Sequence, residues 1–330
     1  MAPLRLVFGI LGALFVSGAA FAQAPGTGPS TSCGKENGWG VVDGLCLPTV
    51  ENPVEACSPT SLKNSVTVHG YTFRSFLSKD HGSCLKVIHA GKVVLGRTID
   101  SWSGYVLGQP ASKEEGTEIT AIPDGADITG NGRPDMIVSF SSGGAHCCSF
   151  HYVFELEPRF KRLITIQDTD DELAHFELFP DGKYYYLLED YTFANWVSCT
   201  FCSPTTHVIL RIVDDGKDST LRLAWDKMAK PAPSSEQWRL KVKEVRSLIQ
   251  SPNPQFDPDA ALWSEVLDLI FSGHSELAWR FVTEAAPKGT ERTDLGSFCS
   301  ILKGDPFWQQ IEPMLKGTPD KCASAKRRSL

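Results

Sequence analysis

The chain has 330 residues, with 32 Lys and Arg against 39 Asp and Glu and a formal net charge of −7. An acidic chain without a basic block is a poor match for a phosphate backbone, which needs clustered Lys and Arg, so nucleic acid is set aside as a partner. Beyond the first two dozen residues no stretch approaches the ~18 apolar residues of a membrane helix, so no later membrane span is expected.

Residues 1–22 have the build of a secretory signal peptide. Arg5 is the only charged side chain, an apolar run spans Leu6 to Val16, and Ala20-Phe21-Ala22 supplies an A-x-A cleavage site. Gln23, not Cys, follows that site, so no lipid anchor is indicated. Losing Arg5 takes the basic count from 32 to 31 against 39 acidic residues, a net −8. The expected location is periplasmic or extracellular. In such a compartment ten cysteines most simply make five disulfides. They are Cys33, Cys46, Cys57, Cys84, Cys147, Cys148, Cys199, Cys202, Cys299 and Cys322. Short closure distances favour Cys33–Cys46, Cys199–Cys202 and Cys299–Cys322 as local pairs.

The mature chain divides by composition. Residues 23–58 are a Pro/Gly/Ser/Thr leader running into a Cys-rich entry segment. Residues 59–230 read as β-rich, with runs at Ser65–Val68, Tyr71–Phe73, Lys86–Ile88, Lys92–Leu95, Met136–Phe140, Phe150–Phe154, Tyr184–Leu188 and His207–Ile212. Turn pairs punctuate them at Gly91-Lys92, Asp124-Gly125, Asp181-Gly182 and Gly216-Lys217. Cysteine-bearing connections at Cys84, Cys147-Cys148 and Cys199–Cys202 recur at intervals of 63 and 52 residues, from Cys84 to Cys147 and from Cys147 to Cys199. Each interval suits one four-stranded blade or layer.

Residues 231–330 change to helical periodicity. Ser234 with Gln237 forms a capping box before Trp238, Val242, Val245 and Ile249. Asp257-Pro258 opens a second helix that Gly273 ends, Ser275 opens a third running through Ala286, and Asp305-Pro306 repeats the cap-and-proline signal. The tryptophans at 238, 263, 279 and 308 read as packing residues. The expected fold class is α+β: an antiparallel β-rich domain, propeller-like or sandwich, followed by a small C-terminal helical bundle.

The sharpest chemical signal is the run from Asp127 to Asp135. Oxygen-bearing side chains fall at Asp127, Thr129, Asn131 and Asp135, with Gly130 and Gly132 between them and the Arg133 carbonyl available. This spacing lets a tight loop turn alternate oxygens onto one hard cation, with calcium as the expected structural cofactor. Val138 stands where an EF-hand has its bidentate Glu, and an apolar strand pattern follows in place of a helix. The segment resembles the FG-GAP/VCBS-type calcium loop of integrin-α-like β-propellers, which implies a calcium-binding loop leading into a blade strand. Two formal negative charges imply weak, extracellular-class affinity. The alternative is an Asx-rich turn that satisfies its own backbone.

A second cluster is the segment Ser141 to Phe150, with His146 and the adjacent Cys147 and Cys148, and its counterpart Asp190 to Pro204, with Asn195 and Trp196. With Ser272–Trp279 these segments look similar to a family of exported bacterial proteins that carry one such calcium-like loop, a likeness that brings no activity with it. If the two connections emerge on one face, His146, Asp190, Asn195 and Trp196 share a ligand-binding surface. Otherwise Trp196 and Phe193 cap the core. A zinc site from His146, Cys147, Cys148, His151, Cys199 and Cys202 is disfavoured, because export favours disulfides over thiolates. Gly-x-Ser-x-Gly and His-Glu-x-x-His are both absent. Three functional readings follow. They are an exported, calcium-stabilised binding or envelope module with a protein or glycan partner, a secreted hydrolase or lyase using His146 and Asp190, and a structural envelope protein whose helices dock a partner.

Overall fold

The computed structural model describes residues 39–42, 45–48, 61–77, 82–100, 104–114, 117–144, 147–168, 173–196, 202–215, 219–250, 258–286, 295–319 and 322. The signal-peptide segment, most of the entry segment, Cys33, Cys57, His146, Cys199 and the Gly216-Lys217 turn lie outside them. So do the side chains of Cys46, Cys147 and Cys148.

The fold is α+β, built on antiparallel sheets with six helices following among the described residues. A two-stranded ribbon, β1 (Trp39–Val42) with β2 (Leu45–Pro48), comes first. Three four-stranded sheets then follow in chain order. The first is β3 (Ser61–Val68), β4 (Tyr71–Leu77), β5 (Gly82–His89) and β6 (Lys92–Asp100). The second takes β7 (Val106–Leu107), skips the small hairpin of β8 (Ser112–Glu114) and β9 (Thr117–Ile119), and continues with β10 (Asp135–Gly144), β11 (Cys147–Glu155) and β12 (Lys161–Asp168). The third is β13 (His175–Leu178), β14 (Tyr184–Asp190), β15 (Thr206–Asp214) and β16 (Ser219–Leu223). Each sheet is an up-and-down meander, so every strand pairs with its neighbour in that series.

Turn chemistry explains the hairpins. Ala90-Gly91 and His69-Gly70 place two successive residues at positive φ, which matches the right-handed twist of the flanking strands. All eight sequence-expected runs fall within strands. Cys84 departs from expectation: it lies inside β5, opposite Phe76 and Thr98, and not in a connection. Its near-complete burial is that of a core side chain.

The middle sheet is covered on both faces. Met136, Val138 and Phe140 of β10, with Tyr152 and Phe154 of β11, pack with Phe73, Leu85 and Val87 of the first sheet. Ile137 and Val153, one residue out of phase, join Phe176, Tyr186, Val208 and Leu210 of the third sheet. Period-two alternation thus feeds two separate cores from one pair of strands.

Helices α1 (Trp225–Met228), α2 (Ser235–Gln250), α3 (Pro258–Phe271), α4 (Ser275–Ala285), α5 (Leu295–Leu302) and α6 (Trp308–Ile311) follow. The expected capping box forms: the Gln237 amide donates to Ser234 Oγ at 3.3 Å, and the Ser234 amide donates back to Gln237 Oε1 at 2.8 Å, whereas the expected cap Asp257 lies outside the described residues. Gly273, at φ +91°, ends α3 as the His274 amide reaches back to the Leu269 carbonyl. Buried Leu262, Trp263, Val266, Ile270 and Phe298 extend the third sheet's core into the helices. Cys299 and Cys322 form the disulfide expected between them. Cys84 and Cys202 are also disulfide-bonded, and among the described residues no cysteine is free.

Candidate metal centre

The loop from Asp127 to Pro134 descends into β10, so Asp135 stands at the point where irregular chain becomes sheet. Its eight residues and Asp135 use side-chain oxygens to hold their own backbone. Asp127 Oδ1 accepts the Asn131 amide at 3.0 Å, and Oδ2 accepts the Gly132 amide at 2.7 Å. Asp135 Oδ2 reaches back to accept the amides of Ile128 at 2.9 Å and Thr129 at 3.0 Å. Asn131 Oδ1 accepts the Arg133 amide at 2.9 Å. Gly130 and Gly132 adopt φ of +73° and +82°, a left-handed backbone that the tight turn requires and glycine tolerates.

Beneath the loop lies Glu155, a residue that the spacing motif does not contain. Its Oε2 accepts Asn131 Nδ2 at 2.9 Å and Arg133 Nη1 at 3.0 Å. The carboxylate is only 5% exposed, so Arg133 serves as its counter-ion as well as a loop residue. Sequence reasoning missed Glu155 because it sits 20 residues after Asp135, at the far end of a hairpin. Strand register alone brings it opposite Asp135.

Two oxygens are poorly satisfied. Among the described residues, buried Asp135 Oδ1 and Thr129 Oγ1 make no well-formed hydrogen bond, although the Thr129 side chain lies close enough to the Asp135 carboxyl to favour its ionised form. Asp135 is 1% exposed, and burial pushes its carboxyl up to about 7; the amide and side chain of Thr129 and the amide of Ile128 oppose the rise, and the Asp127 charge adds to it. Among the described residues no Lys, Arg or His side chain is among the groups that perturb it. A small pocket lined by Gly108, Gln109, Ile122, Asp124, Ile128 and Asp135 lies alongside, and burial raises Asp124 as well.

Asp127, Thr129, Asn131 and Asp135 bring side-chain oxygens to one short loop, and oxygens of Asp127, Asn131 and Asp135 accept loop amides. Among the described residues no three His, Cys, Asp or Glu side chains converge as a metal cluster. A cation at this loop would therefore depend on hydroxyl, amide and main-chain oxygens beside two carboxylates, a donor set of the calcium type.

The second candidate cluster is distributed differently. Asp190 ends β14 and is buried, its Oδ1 accepting the Thr192 amide at 2.9 Å. Trp196 is half-buried and packs against Phe193, Trp263 and Phe298, with ring centroids 5.5, 5.5 and 6.0 Å away. Asn195 is exposed at φ +60°, in the turn that joins Asp190 to Trp196. His146 lies outside the described residues. No protein-family model, curated protein or solved structure matches the chain.

Proposed function

We propose that this chain is an exported, calcium-stabilised binding module of the cell envelope, with a protein or glycan as partner. The observation that carries the calcium reading is the pair of buried oxygens that lack a well-formed hydrogen bond among the described residues, Asp135 Oδ1 and Thr129 Oγ1. Burying a carboxylate oxygen without donor, proton or cation is costly, and a bound cation offsets that cost. Loop amides already occupy Asp127 and the other oxygen of Asp135, which fixes their direction before any ion arrives. Calcium here is structural: it neutralises Asp127 and Asp135 and pins the loop to the start of β10.

Three successive four-stranded meanders, stacked through alternate faces, support a propeller-like arrangement in which each sheet is a blade and the calcium loop enters the second. The helices that follow pack as a small bundle against the third blade. The bonded Cys299–Cys322 pair supports an oxidising, periplasmic or extracellular setting. No helix among the described residues is long and apolar enough to cross a membrane.

The test is thermal unfolding of the full chain in chelator and in excess calcium. Calcium raises the melting temperature of the wild type, and Asp127→Ala removes the rise. Equal midpoints for the wild type under both conditions would refute the reading.

A further inference from the structure

The strands and helices are joined by several polar bridges, and all but one contain a ready hydrogen donor. Thr206 Oγ1 donates to Asp268 Oδ1 of α3 at 2.7 Å. The Thr205 amide donates to Ser264 Oγ at 3.3 Å, and the Leu223 amide to Gln310 Oε1 of α6 at 2.9 Å. The exception joins the end of β14 to the link between α5 and α6. There the carboxyl groups of Asp190 and Asp305 lie within hydrogen-bonding reach of each other.

Both groups are buried, at 8% and 2% exposure. Each has one oxygen committed to a nearby amide: Asp190 Oδ1 to Thr192 at 2.9 Å, and Asp305 Oδ1 to Phe307 at 2.6 Å. Asp305 Oδ2 is buried without any donor. Ionised carboxylates are acceptors only, so two of them cannot bridge, whereas one protonated and one ionised group can.

We propose that Asp190 and Asp305 form a proton-locked latch between the strands and the helices, closed while they share one proton and loosened when that proton leaves to water. The inference stands apart from the calcium reading, because neither residue touches the loop. Burial first, and then the negative charge of Asp190, hold the Asp305 carboxyl well above the ordinary carboxylate range. Among the described residues no Lys, Arg or His is among the groups that perturb it. The charged and titratable neighbours on the elements around it are engaged elsewhere or turned outward. Tyr191 Oη donates to Glu189 Oε2, Asp268 is held by Thr206, His207 of β15 is exposed, and Lys303 sits half-exposed on the link itself.

The sign follows from proton linkage. The folded pair holds its proton more tightly than the unfolded chain does. Its stabilisation is therefore complete below the ordinary carboxylate range and is lost as pH rises through the pair's upper titration. Asp305→Asn places a permanent N–H donor in the bridge with little change of shape.

The experiment compares thermal midpoints of the wild type and Asp305→Asn between pH 5 and pH 8, both in chelator. The wild-type midpoint falls by roughly 3 °C or more beyond that of the variant across this range. Parallel profiles would overturn the latch. If the variant does not fold, infrared spectra of the Asp135→Asn chain at neutral pH decide. A protonated-carboxyl stretch remains if the pair shares a proton, and its absence overturns the proposal.

Discussion

Asp135 and Glu155 are direct cross-strand partners at the base of the loop, two buried acidic residues paired in register across β10 and β11. Like charges so placed are unfavourable unless each is neutralised. Arg133 neutralises Glu155 at 3.0 Å, and no side chain does the same for Asp135. The missing positive charge is what the proposed cation would supply.

That imbalance makes stability pH-dependent in the absence of calcium. The folded Asp135 carboxyl titrates at about 7 against an ordinary value of 3.8, so its contribution is complete near pH 4 and is lost as pH rises through 7. The loss is on the order of a few kcal/mol. In chelator, Asp135→Asn has a flatter profile than the wild type from pH 5 to 8 in denaturant unfolding. In the wild type, excess calcium replaces the departing proton and flattens the same profile.

Removing Arg133 is more damaging than removing the charge it faces. Arg133→Met leaves Glu155 ionised and buried with only Asn131 as donor, at a cost of roughly 2–3 kcal/mol. Glu155→Gln keeps an oxygen for Asn131 and Arg133 and costs about 1 kcal/mol. Urea midpoints of the two variants give this order. The reverse order would mean that the pair contributes only surface charge.

Gln109 acts as a surrogate strand partner for β13. Its Oε1 accepts the Phe176 amide at 2.8 Å and its Nε2 donates to the Phe176 carbonyl at 2.7 Å. Gln109→Leu leaves both backbone groups of a buried residue unpaired, a loss of about 2–4 kcal/mol. Amide hydrogen exchange at Phe176 accelerates in the variant while β15 stays protected.

Phe298 is the aromatic hub between strands and helices. It is fully buried and stacks on Trp263 at 4.5 Å and on Phe193 at 4.9 Å. Phe298→Ala opens a cavity and costs roughly 3–5 kcal/mol in chemical denaturation, with a change in Trp263 fluorescence in the folded state.

The readable parts of the sequence were those encoded by near neighbours. The capping box at Ser234 and Gln237, the Pro258 start and Gly273 stop of α3, and the Ala90-Gly91 hairpin all rest on residues within four positions of each other. The spacing of the loop from Asp127 to Asp135 was legible for the same reason. Glu155, Gln109 and Asp305 were not. Glu155 reaches the loop through strand register, Gln109 reaches Phe176 across 67 positions, and Asp305 meets Asp190 only after the helices fold back on the strands. Asp305 was visible in sequence as a helix cap, and it does accept the Phe307 amide. Its second oxygen carries the further role. Lys161–Asp168 is hard to read as β12 because its charged ends mask the short apolar centre of the strand that pairs beside β11.

The most direct measurement of the central claim is isothermal titration of the full chain with calcium, beside Asp135→Asn. The account predicts one calcium per wild-type chain, with affinity in the ~0.1–1 mM class, and no saturable heat for the variant. Absence of saturable binding to the wild type, or equal binding by the variant, would contradict it.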